Sequence, residues 1–228
     1  MSQKELLIYE VLQKPHTFSK VKVTIRMVAM IRNLIFDMGN VILFWTPDSI
    51  MDDMHIEDPQ ERAVLKRVVF GSSDWPLLDW GKLSGPEAEK LFCSRTPKEY
   101  WPHIHHALDW FDMIRPVPGM ADYLKKKKSE GYGLYLLSNA PDYVYHNTQY
   151  VPGLQYMDGI IISGYEKLIK PMPEIYQLVL KRYNLKAEEC LFIDDLPLNC
   201  AGAIMQGMQA LVFHGNPQEV EDCLAKLS

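Results

Sequence analysis

Residues 33–41 read Asn-Leu-Ile-Phe-Asp-Met-Gly-Asn-Val, an apolar run that ends at Asp37 in a glycine-containing turn. A short run of large apolar residues that stops at a turn residue is typical of a strand buried on both faces. A second such run, residues 190–193, ends at the acidic pair Asp194 and Asp195. Ligands of an open parallel sheet bind at the carboxyl ends of its strands. The two runs therefore predict that acidic side chains from distant parts of the chain meet at one sheet edge.

Five apolar runs of this kind alternate with helix-like segments. The runs cover residues 33–37, 133–138, 159–163, 190–194 and 209–213. Helices are expected at residues 118–129, 173–183 and 199–207. The segments between the runs are long enough for right-handed crossovers between parallel strands. The pattern predicts an α/β fold with a doubly wound, Rossmann-like parallel sheet.

The interval from residue 46 to residue 115 interrupts this alternation. It carries four tryptophans, several prolines and four helical patterns, but no apolar run that resembles a buried strand. The helical patterns lie at residues 48–55, 59–69, 84–93 and 97–113. A segment of this length is too long for a loop of a compact domain. We expect residues 46–115 to form a small helical cap inserted after the first strand of a core made of residues 31–45 and 116–228.

Residues 1–30 are expected to be an N-terminal extension outside the core. Met27 and Met30 directly precede the first core strand. This position favours the interpretation that the start site has been assigned too far upstream. The alternatives are an extra structural element and a dimer contact.

The composition excludes several classes of protein. The 228 residues are 47% hydrophobic with a net charge of −5, which suits a globular protein and provides no basic surface for nucleic acid. No apolar stretch approaches the ~18 residues of a membrane span. The four cysteines form no C-x-x-C pair, so neither a disulfide framework nor a zinc site is expected. The expected setting is the reducing cytoplasm, with neither nucleic acid nor a membrane as partner.

Four short motifs, in this order along the chain, resemble the haloacid dehalogenase-like hydrolase superfamily, whose members are mostly phosphatases. They are Asp37-Met38-Gly39-Asn40-Val41-Ile42, Leu137-Ser138-Asn139, Lys170-Pro171-Met172-Pro173 and Ile193-Asp194-Asp195. Each residue alone is at least as well explained as a turn former, a helix cap or a solvated side chain. The complete set of motifs is not explained in this way, because four separate strand-to-loop junctions each supply a group that aspartyl-phosphate chemistry needs.

The resemblance implies a phosphatase with Asp37 as the nucleophile that forms an aspartyl-phosphate. A Mg²⁺ ion held by Asp37, Asp194 and the backbone carbonyl of Gly39 would offset the repulsion between the nucleophile and the phosphate. Asp195 is expected to orient a water or a loop donor rather than to bind the metal directly.

The resemblance also implies a phosphate-binding set. Ser138 and the backbone amide of Asn139 would donate hydrogen bonds to the phosphate oxygens. Lys170 would supply positive charge to the phosphate and to Asp37 in the transition state. The implied substrate is a small phosphorylated metabolite, with a sugar phosphate as a candidate.

Gly39 departs from the family pattern. In most phosphatases of this superfamily that position is a second aspartate, which transfers protons to and from the reacting oxygens. General acid–base catalysis contributes typically ~10²–10⁴-fold, so its absence should slow the hydrolysis of alkyl phosphates. Three explanations are open: a better leaving group such as an anomeric sugar hydroxyl, a cap residue that transfers the proton, or lost catalysis. The D-x-G-N-V loop resembles the branch that contains bacterial α-D-glucose-1-phosphate phosphatase, which favours the first.

Two other functions remain as alternatives. A non-catalytic phosphate-binding or regulatory module of the same fold would explain Gly39, although Asp37, Lys170 and Asp194 argue against it. A 2-haloacid dehalogenase needs no metal, so the pair Asp194-Asp195 would only add negative charge beside its anionic substrate.

The cap offers further candidates for substrate contacts. Trp45, Trp75, Asp79 and Trp80 would suit a sugar, although tryptophans of a helical cap more often fill its core. His103, His105 and His106 could suggest a metal site, but only the first and last share one helix face. Because no cysteine or third ligand is nearby, these histidines are expected to be surface residues.

Overall fold

The computed structural model describes residues 30–109 and 115–227. Its strands are β1 (Asn33–Phe36), β2 (Leu43–Phe44), β3 (Arg115–Pro116), β4 (Gly133–Ser138), β5 (Gly159–Ile162), β6 (Cys190–Asp194) and β7 (Gln209–Val212). Each of the five predicted strands is confirmed to within one residue at either end. The predicted N-terminal extension, residues 1–30, lies outside the described residues except for Met30.

The central sheet has the strand order β5-β4-β1-β6-β7, and all of its neighbouring strands are parallel. Leu34, Ile35 and Phe36 of β1 are fully buried, as expected of a central strand covered on both faces. The chain runs outward from β1 through β4 to β5 and then crosses to β6 on the other side of β1. This reversal creates the switch point at which open α/β sheets bind ligands. The predicted doubly wound fold is confirmed.

Eleven α-helices lie in the described residues. They are α1 (Pro47–Asp53), α2 (Pro59–Leu65), α3 (Trp75–Asp79), α4 (Gly85–Ser94), α5 (Trp101–Leu108), α6 (Met120–Ser129), α7 (Val144–Asn147), α8 (Ser163–Glu166), α9 (Pro173–Arg182), α10 (Pro197–Met205) and α11 (Gln218–Leu227). Seven of them carry proline in their first two positions, where its missing N–H is not needed and its fixed φ suits the helix. No described helix has the length and apolar character needed to cross a membrane.

Two short strands mark where the chain leaves and re-enters the core. Leu43 and Phe44 of β2 pair with Pro116 and Arg115 of β3 in an antiparallel ribbon. The described residues between these strands form helices α1 to α5 and no strand. We propose that this ribbon is the stalk that joins the predicted cap, residues 46–115, to the predicted core, residues 31–45 and 116–228.

The cap has an aromatic centre. The ring of Trp75 lies 5.6 Å from that of Trp45, 5.3 Å from that of Phe70 and 6.5 Å from that of Phe92. Trp75 is therefore a packing residue, the role that the sequence favours for cap tryptophans. The stretch from Trp75 to Asp79 forms helix α3, which buries Trp75 and Leu78 on one face.

Candidate active site

Asp37 directly follows the central strand β1. Its backbone N–H donates to the carbonyl of Ile193 in β6 at 2.8 Å, which continues the sheet pairing by one residue. The carboxylate Oδ1 accepts a hydrogen bond from the backbone N–H of Met38 at 2.7 Å. The residue is only 8% exposed. Asp37 is thus held rigidly at the switch point of the sheet.

Asn40 organises the loop that follows Asp37. It adopts the left-handed conformation, with φ of 53°, which asparagine tolerates better than most residues. Its Nδ2 donates to Oδ2 of Asp195 at 3.1 Å, and its Oδ1 accepts from the backbone N–H of Trp45 at 3.1 Å. The side chain therefore joins the nucleophile loop to the loop after β6. Sequence analysis placed Asn40 in the motif without recognising this role.

Lys170 is buried between two carboxylates. Its Nζ lies 2.9 Å from Oδ1 of Asp37 and 2.7 Å from Oδ2 of Asp194, and it donates to the carbonyl of Leu137 at 2.9 Å. Burial lowers the pKa of Lys170, but the two carboxylates outweigh it and raise that pKa above its ordinary value. An ammonium group has three N–H donors, and these contacts engage all three. Lys170 therefore has no free donor in this arrangement, and it would act on a bound anion through its charge.

Asp194, at the end of β6, is fully buried and satisfied on both oxygens. Oδ1 accepts from the backbone N–H of Leu196 at 2.9 Å, and Nδ2 of Asn199 lies 3.0 Å from Oδ1 and 3.1 Å from Oδ2. Asn199 is itself buried in the first turn of α10. It is a site residue that sequence analysis missed. The sequence signal that could have identified Asn199 is an amide side chain that lies five residues after the acidic end of a strand, at the start of the next helix.

Three carboxylates form an acidic cluster at the switch point. One oxygen from each of Asp37, Asp194 and Asp195 lies within 4.8 Å of the others, and the described residues contain no second such group of His, Cys, Asp or Glu. Hard oxygen ligands brought together by a buried scaffold suit Mg²⁺. Asp195, expected outside the metal's ligand shell, lies close enough to the other two to share an ion with them.

The charges of the cluster perturb one another. Burial raises the pKa of Asp37 to about 7, with a further increase from the negative charge of Asp194 and an opposing effect of Lys170. Burial also raises the pKa of Asp195. One ammonium group thus faces three carboxyl groups, and this excess of negative charge favours a bound cation.

The phosphate-binding candidates lie at the neighbouring strand end. Ser138 is the last residue of β4 and is buried, next to β1 in the sheet. The side chain of Asn139 hydrogen-bonds the backbone of Lys170. The structure therefore places Asp37, Ser138 and Asp194 at the carboxyl ends of three adjacent strands and connects Asn139 directly to Lys170.

The histidines of the cap stand apart from this cluster. His103 pairs with Glu61 at 2.5 Å, and His105 pairs with Glu89 at 3.3 Å, both within the cap. His105 is well exposed, with 71% of its side chain accessible. No histidine belongs to the carboxylate group at the switch point, within the described part of the chain.

Helix α3 of the cap reaches the core at its carboxyl end. The backbone carbonyl of Asp79 accepts a hydrogen bond from Oγ of Ser163 at 2.6 Å. The same hydroxyl accepts from the backbone N–H of Ala140 at 2.9 Å, one residue after Asn139. The indole Nε1 of Trp80 donates to the carbonyl of Lys167 at 2.9 Å. Asp79 is thereby anchored beside the phosphate-binding loop, whereas Trp80 is engaged with the core backbone.

Comparison with known proteins gives a consistent result. The sequence model of the haloacid dehalogenase-like hydrolase family matches residues 31–205. The sesquiterpene phosphatase astK of Aspergillus oryzae is 27% identical over 178 residues, which cover 78% of this chain and 87% of that protein. The D-ribitol-5-phosphate phosphatase of Bacteroides thetaiotaomicron is 25% identical over 194 residues, which cover 73% of this chain and 84% of that protein.

The fold also matches solved structures. A HAD-family enzyme of Bacteroides thetaiotaomicron, crystallised with magnesium and inorganic phosphate, superposes with a TM-score of 0.63 at 19% sequence identity. The match covers 82% of this chain and 95% of that one. Haloacid dehalogenases also occur among the matching proteins, so likeness alone does not separate the two reactions.

Proposed function

Because this chain belongs to the haloacid dehalogenase-like hydrolases, we propose that it is a Mg²⁺-dependent phosphatase that hydrolyses a small phosphorylated metabolite through an aspartyl-phosphate at Asp37. The family expected from the four motifs is confirmed, and with it the expectation of a hydrolase. The narrower likeness to the α-D-glucose-1-phosphate phosphatase branch stays a prediction.

The observation that carries the proposal is the arrangement around Asp37. Its carboxylate lies 2.9 Å from the buried ammonium of Lys170 and within 4.8 Å of ligand oxygens of Asp194 and Asp195. A nucleophilic carboxylate needs a nearby cation to remain ionised in a buried site, and it needs further positive charge to approach a phosphate dianion. Lys170 provides the nearby cation, and the carboxylate cluster suits a divalent ion that would provide the further positive charge.

The proposed reaction has two steps. Oδ of Asp37 attacks phosphorus as the bond between phosphorus and the leaving oxygen breaks, and water then displaces Asp37 from phosphorus. Asp37, Asp194 and the carbonyl of Gly39 would hold Mg²⁺, which when bound supplies positive charge beside the phosphate oxygens. Asp195 lies near enough to join this ligand set or to orient a water within it.

The remaining groups would hold the phosphate. Ser138 and the backbone amide of Asn139 would donate hydrogen bonds to its oxygens, while Lys170 keeps Asp37 in its ionised, nucleophilic form. The two relatives are, by their names, a sesquiterpene phosphatase and a D-ribitol-5-phosphate phosphatase. A small organic phosphate is therefore the proposed substrate class, with a sugar phosphate as one candidate.

A panel of sugar, polyol and prenyl phosphates, assayed with Mg²⁺ and with EDTA, tests the proposal. We expect phosphate release that needs Mg²⁺ and that Asp37→Asn abolishes. Turnover that is equal in Mg²⁺ and in EDTA would contradict the metal-dependent mechanism. A well-folded protein with no turnover on any phosphate would favour the non-catalytic phosphate-binding module.

Dehalogenation is the second candidate because haloacid dehalogenases occur among the matching proteins. A dehalogenase needs no metal, so the Asp37, Asp194 and Asp195 cluster would only repel its carboxylate substrate. Halide release from 2-chloropropionate in EDTA measures this activity directly. We expect none from this protein.

A further inference from the structure

There is open space beside Gly39 in the nucleophile loop, where a side chain that transfers a proton would be useful. A Cβ atom built on Gly39 would meet nothing within 4 Å beyond its own chain neighbours. No side chain fills the space next to Gly39, and glycine itself cannot carry a proton. Any protein group that protonates the leaving oxygen must therefore come from another part of the chain, and helix α3 of the cap contacts the core next to the loop after β4.

Asp79 is fixed at the boundary between cap and core. Its carbonyl accepts from Ser163 at 2.6 Å. Two residues later, Gly81 has φ of 66°, and a Cβ atom on it would lie 2.1 Å from the carbonyl oxygen of Gly164. This close backbone approach leaves no room for a side chain at position 81. The C-terminal end of α3 thus packs directly against α8. These backbone contacts fix the position of Asp79 relative to the phosphate-binding loop.

The surroundings of the Asp79 carboxyl match those of a proton-transfer group. Its pKa is raised to about 7, mainly by burial and also by the charge of Asp37, while Lys170 and a hydrogen bond with the Trp75 side chain oppose this increase. Asp37 and Lys170 thus lie close enough to Asp79 for their charges to shift its pKa. A carboxyl group with a pKa near neutrality can both donate and accept a proton at physiological pH.

Tyr143 provides an independent sign that a ligand occupies this region. Its hydroxyl is buried and has no hydrogen-bond partner among the described residues. Burial raises the pKa of Tyr143, and among the neighbouring charges that of Asp79 raises it most. A buried hydroxyl without a partner is costly, so a polar group of a bound substrate would satisfy it.

We propose that Asp79 is the catalytic acid and base of the proposed phosphatase reaction, in place of the side chain that is missing at Gly39. The inference rests on the proposed function and adds to it the source of the proton.

Asp79 gives up a proton in the first step and takes one back in the second. In the first, a bond forms between Asp37 and phosphorus, the bond between phosphorus and the leaving oxygen breaks, and that oxygen takes the proton of Asp79 to leave as an alcohol. In the second, water attacks phosphorus, the bond between Asp37 and phosphorus breaks, and the proton of the water passes to Asp79. Asp79 ends in its starting protonated form, and no further reactant is needed.

The test compares two kinds of leaving group in Asp79→Asn, which keeps the size of the side chain but transfers no proton. For the alkyl phosphate that the wild type hydrolyses fastest, kcat/KM should fall by about 10²–10⁴-fold. For p-nitrophenyl phosphate, whose leaving group needs no proton, the first step should persist while the second slows. The variant should therefore release a burst of about one nitrophenolate per active site and then turn over slowly.

A rescue variant and a matched control sharpen the test. Gly39→Asp has room for its side chain, so Gly39→Asp combined with Asp79→Asn should recover at least tenfold of the lost alkyl phosphatase activity. Asp74→Asn makes the same chemical change just before α3, where Asp74 pairs with Arg95 at 2.5 Å. This control should leave the ratio of the two substrate activities unchanged.

The outcomes separate this inference from the proposed function. If the wild type hydrolyses no phosphate, the proposed function fails. If the wild type is active but Asp79→Asn lowers both substrates equally, or raises only KM, Asp79 is a binding residue and the inference is wrong. An active wild type whose alkyl phosphatase activity survives Asp79→Asn overturns it as well.

Discussion

The side chain of Asn139 forms hydrogen bonds with both backbone polar groups of Lys170. Its Oδ1 accepts from the Lys170 N–H at 2.9 Å, and its Nδ2 donates to the Lys170 carbonyl at 3.0 Å. An amide side chain can satisfy a backbone donor and a backbone acceptor at the same time, which a carboxylate cannot do. Asn139 therefore fixes the loop that carries the buried ammonium group, 31 residues further along the chain.

Removal of this pair of hydrogen bonds should impair catalysis more than stability. Asn139→Ala is expected to lower kcat at least tenfold, because Lys170 is no longer held against Asp37. The free energy of unfolding should fall by about 1–3 kcal/mol, the usual cost of leaving partly buried backbone groups without partners. Steady-state kinetics and urea unfolding measure the two effects. Asn147→Ala, in helix α7, serves as the control, and an equal loss of kcat in that variant would contradict the expected role of Asn139.

Replacement of Lys170 should destabilise the protein in a pH-dependent way. In Lys170→Met, the carboxylates of Asp37 and Asp194 lose their shared buried cation, which should cost about 3–5 kcal/mol at neutral pH. At about pH 5.5 the loss should be smaller, because Asp37 can take up a proton and remove part of the repulsion. Urea unfolding at the two pH values measures the difference.

Lys186→Met is the matched control for that variant. Lys186 pairs with Glu189 at 2.8 Å, but 67% of its side chain is exposed. An exposed pair of this kind contributes little, so this variant should change the free energy of unfolding far less than Lys170→Met does. A loss in Lys170→Met that is equally large at both pH values would contradict the proposed charge repulsion.

Binding of Mg²⁺ should strengthen as the pH rises. Burial raises the pKa of Asp37 to about 7, so below that pH the carboxyl holds a proton that a metal ion must displace. The increase in melting temperature caused by Mg²⁺ should therefore be larger at about pH 8 than at about pH 6. Asp194→Asn should abolish most of this increase at both pH values. A melting temperature that does not respond to Mg²⁺ at either pH would argue against the metal site.

Loss of Asn199 should weaken metal binding without removing a proposed ligand. Asn199→Ala frees both oxygens of Asp194 from their shared donor, and the loss of such a supporting contact typically costs ~10–100-fold in metal affinity. Titration of Mg²⁺ into the protein, followed by calorimetry, measures this affinity. Gln177→Ala, whose side chain pairs with Gln206 at the surface, should bind Mg²⁺ like the wild type.

Much of the fold could be predicted from the sequence. Strands β4 and β6 match their predicted bounds, because a run that is apolar on both faces and ends at a polar residue marks the ends of a buried strand clearly. Helix bounds were less well predicted. Residues 118–129 and 199–207 were expected to be helical, but α6 starts at Met120 after Gly119 in the left-handed conformation, and α10 starts at Pro197.

The long helix expected at residues 97–113 illustrates a different limit. The described part of that stretch holds a 3₁₀ turn at Lys98–Tyr100 and helix α5 at Trp101–Leu108, and residues 110–114 lie outside the described part. Helical periodicity continues through Pro102, but a proline in the first turn starts a new helix instead of extending an old one. The local pattern thus correctly predicted that these residues are helical, but it did not predict that they divide into a 3₁₀ turn and a separate α-helix.

The sequence by itself determined the family, the parallel sheet and the choice of Asp37, Lys170 and Asp194 as candidate site residues, because each depends on local runs and motifs that can be read along the chain. Only the tertiary structure decided that Asn139 holds Lys170, that Asn199 holds Asp194 and that the Asp79 backbone of the cap is anchored next to the loop after β4. These relationships join residues that are distant in sequence, or depend on side-chain direction. The physical reason is that hydrogen bonds and charge interactions act over a few ångströms in space, whatever the separation along the chain.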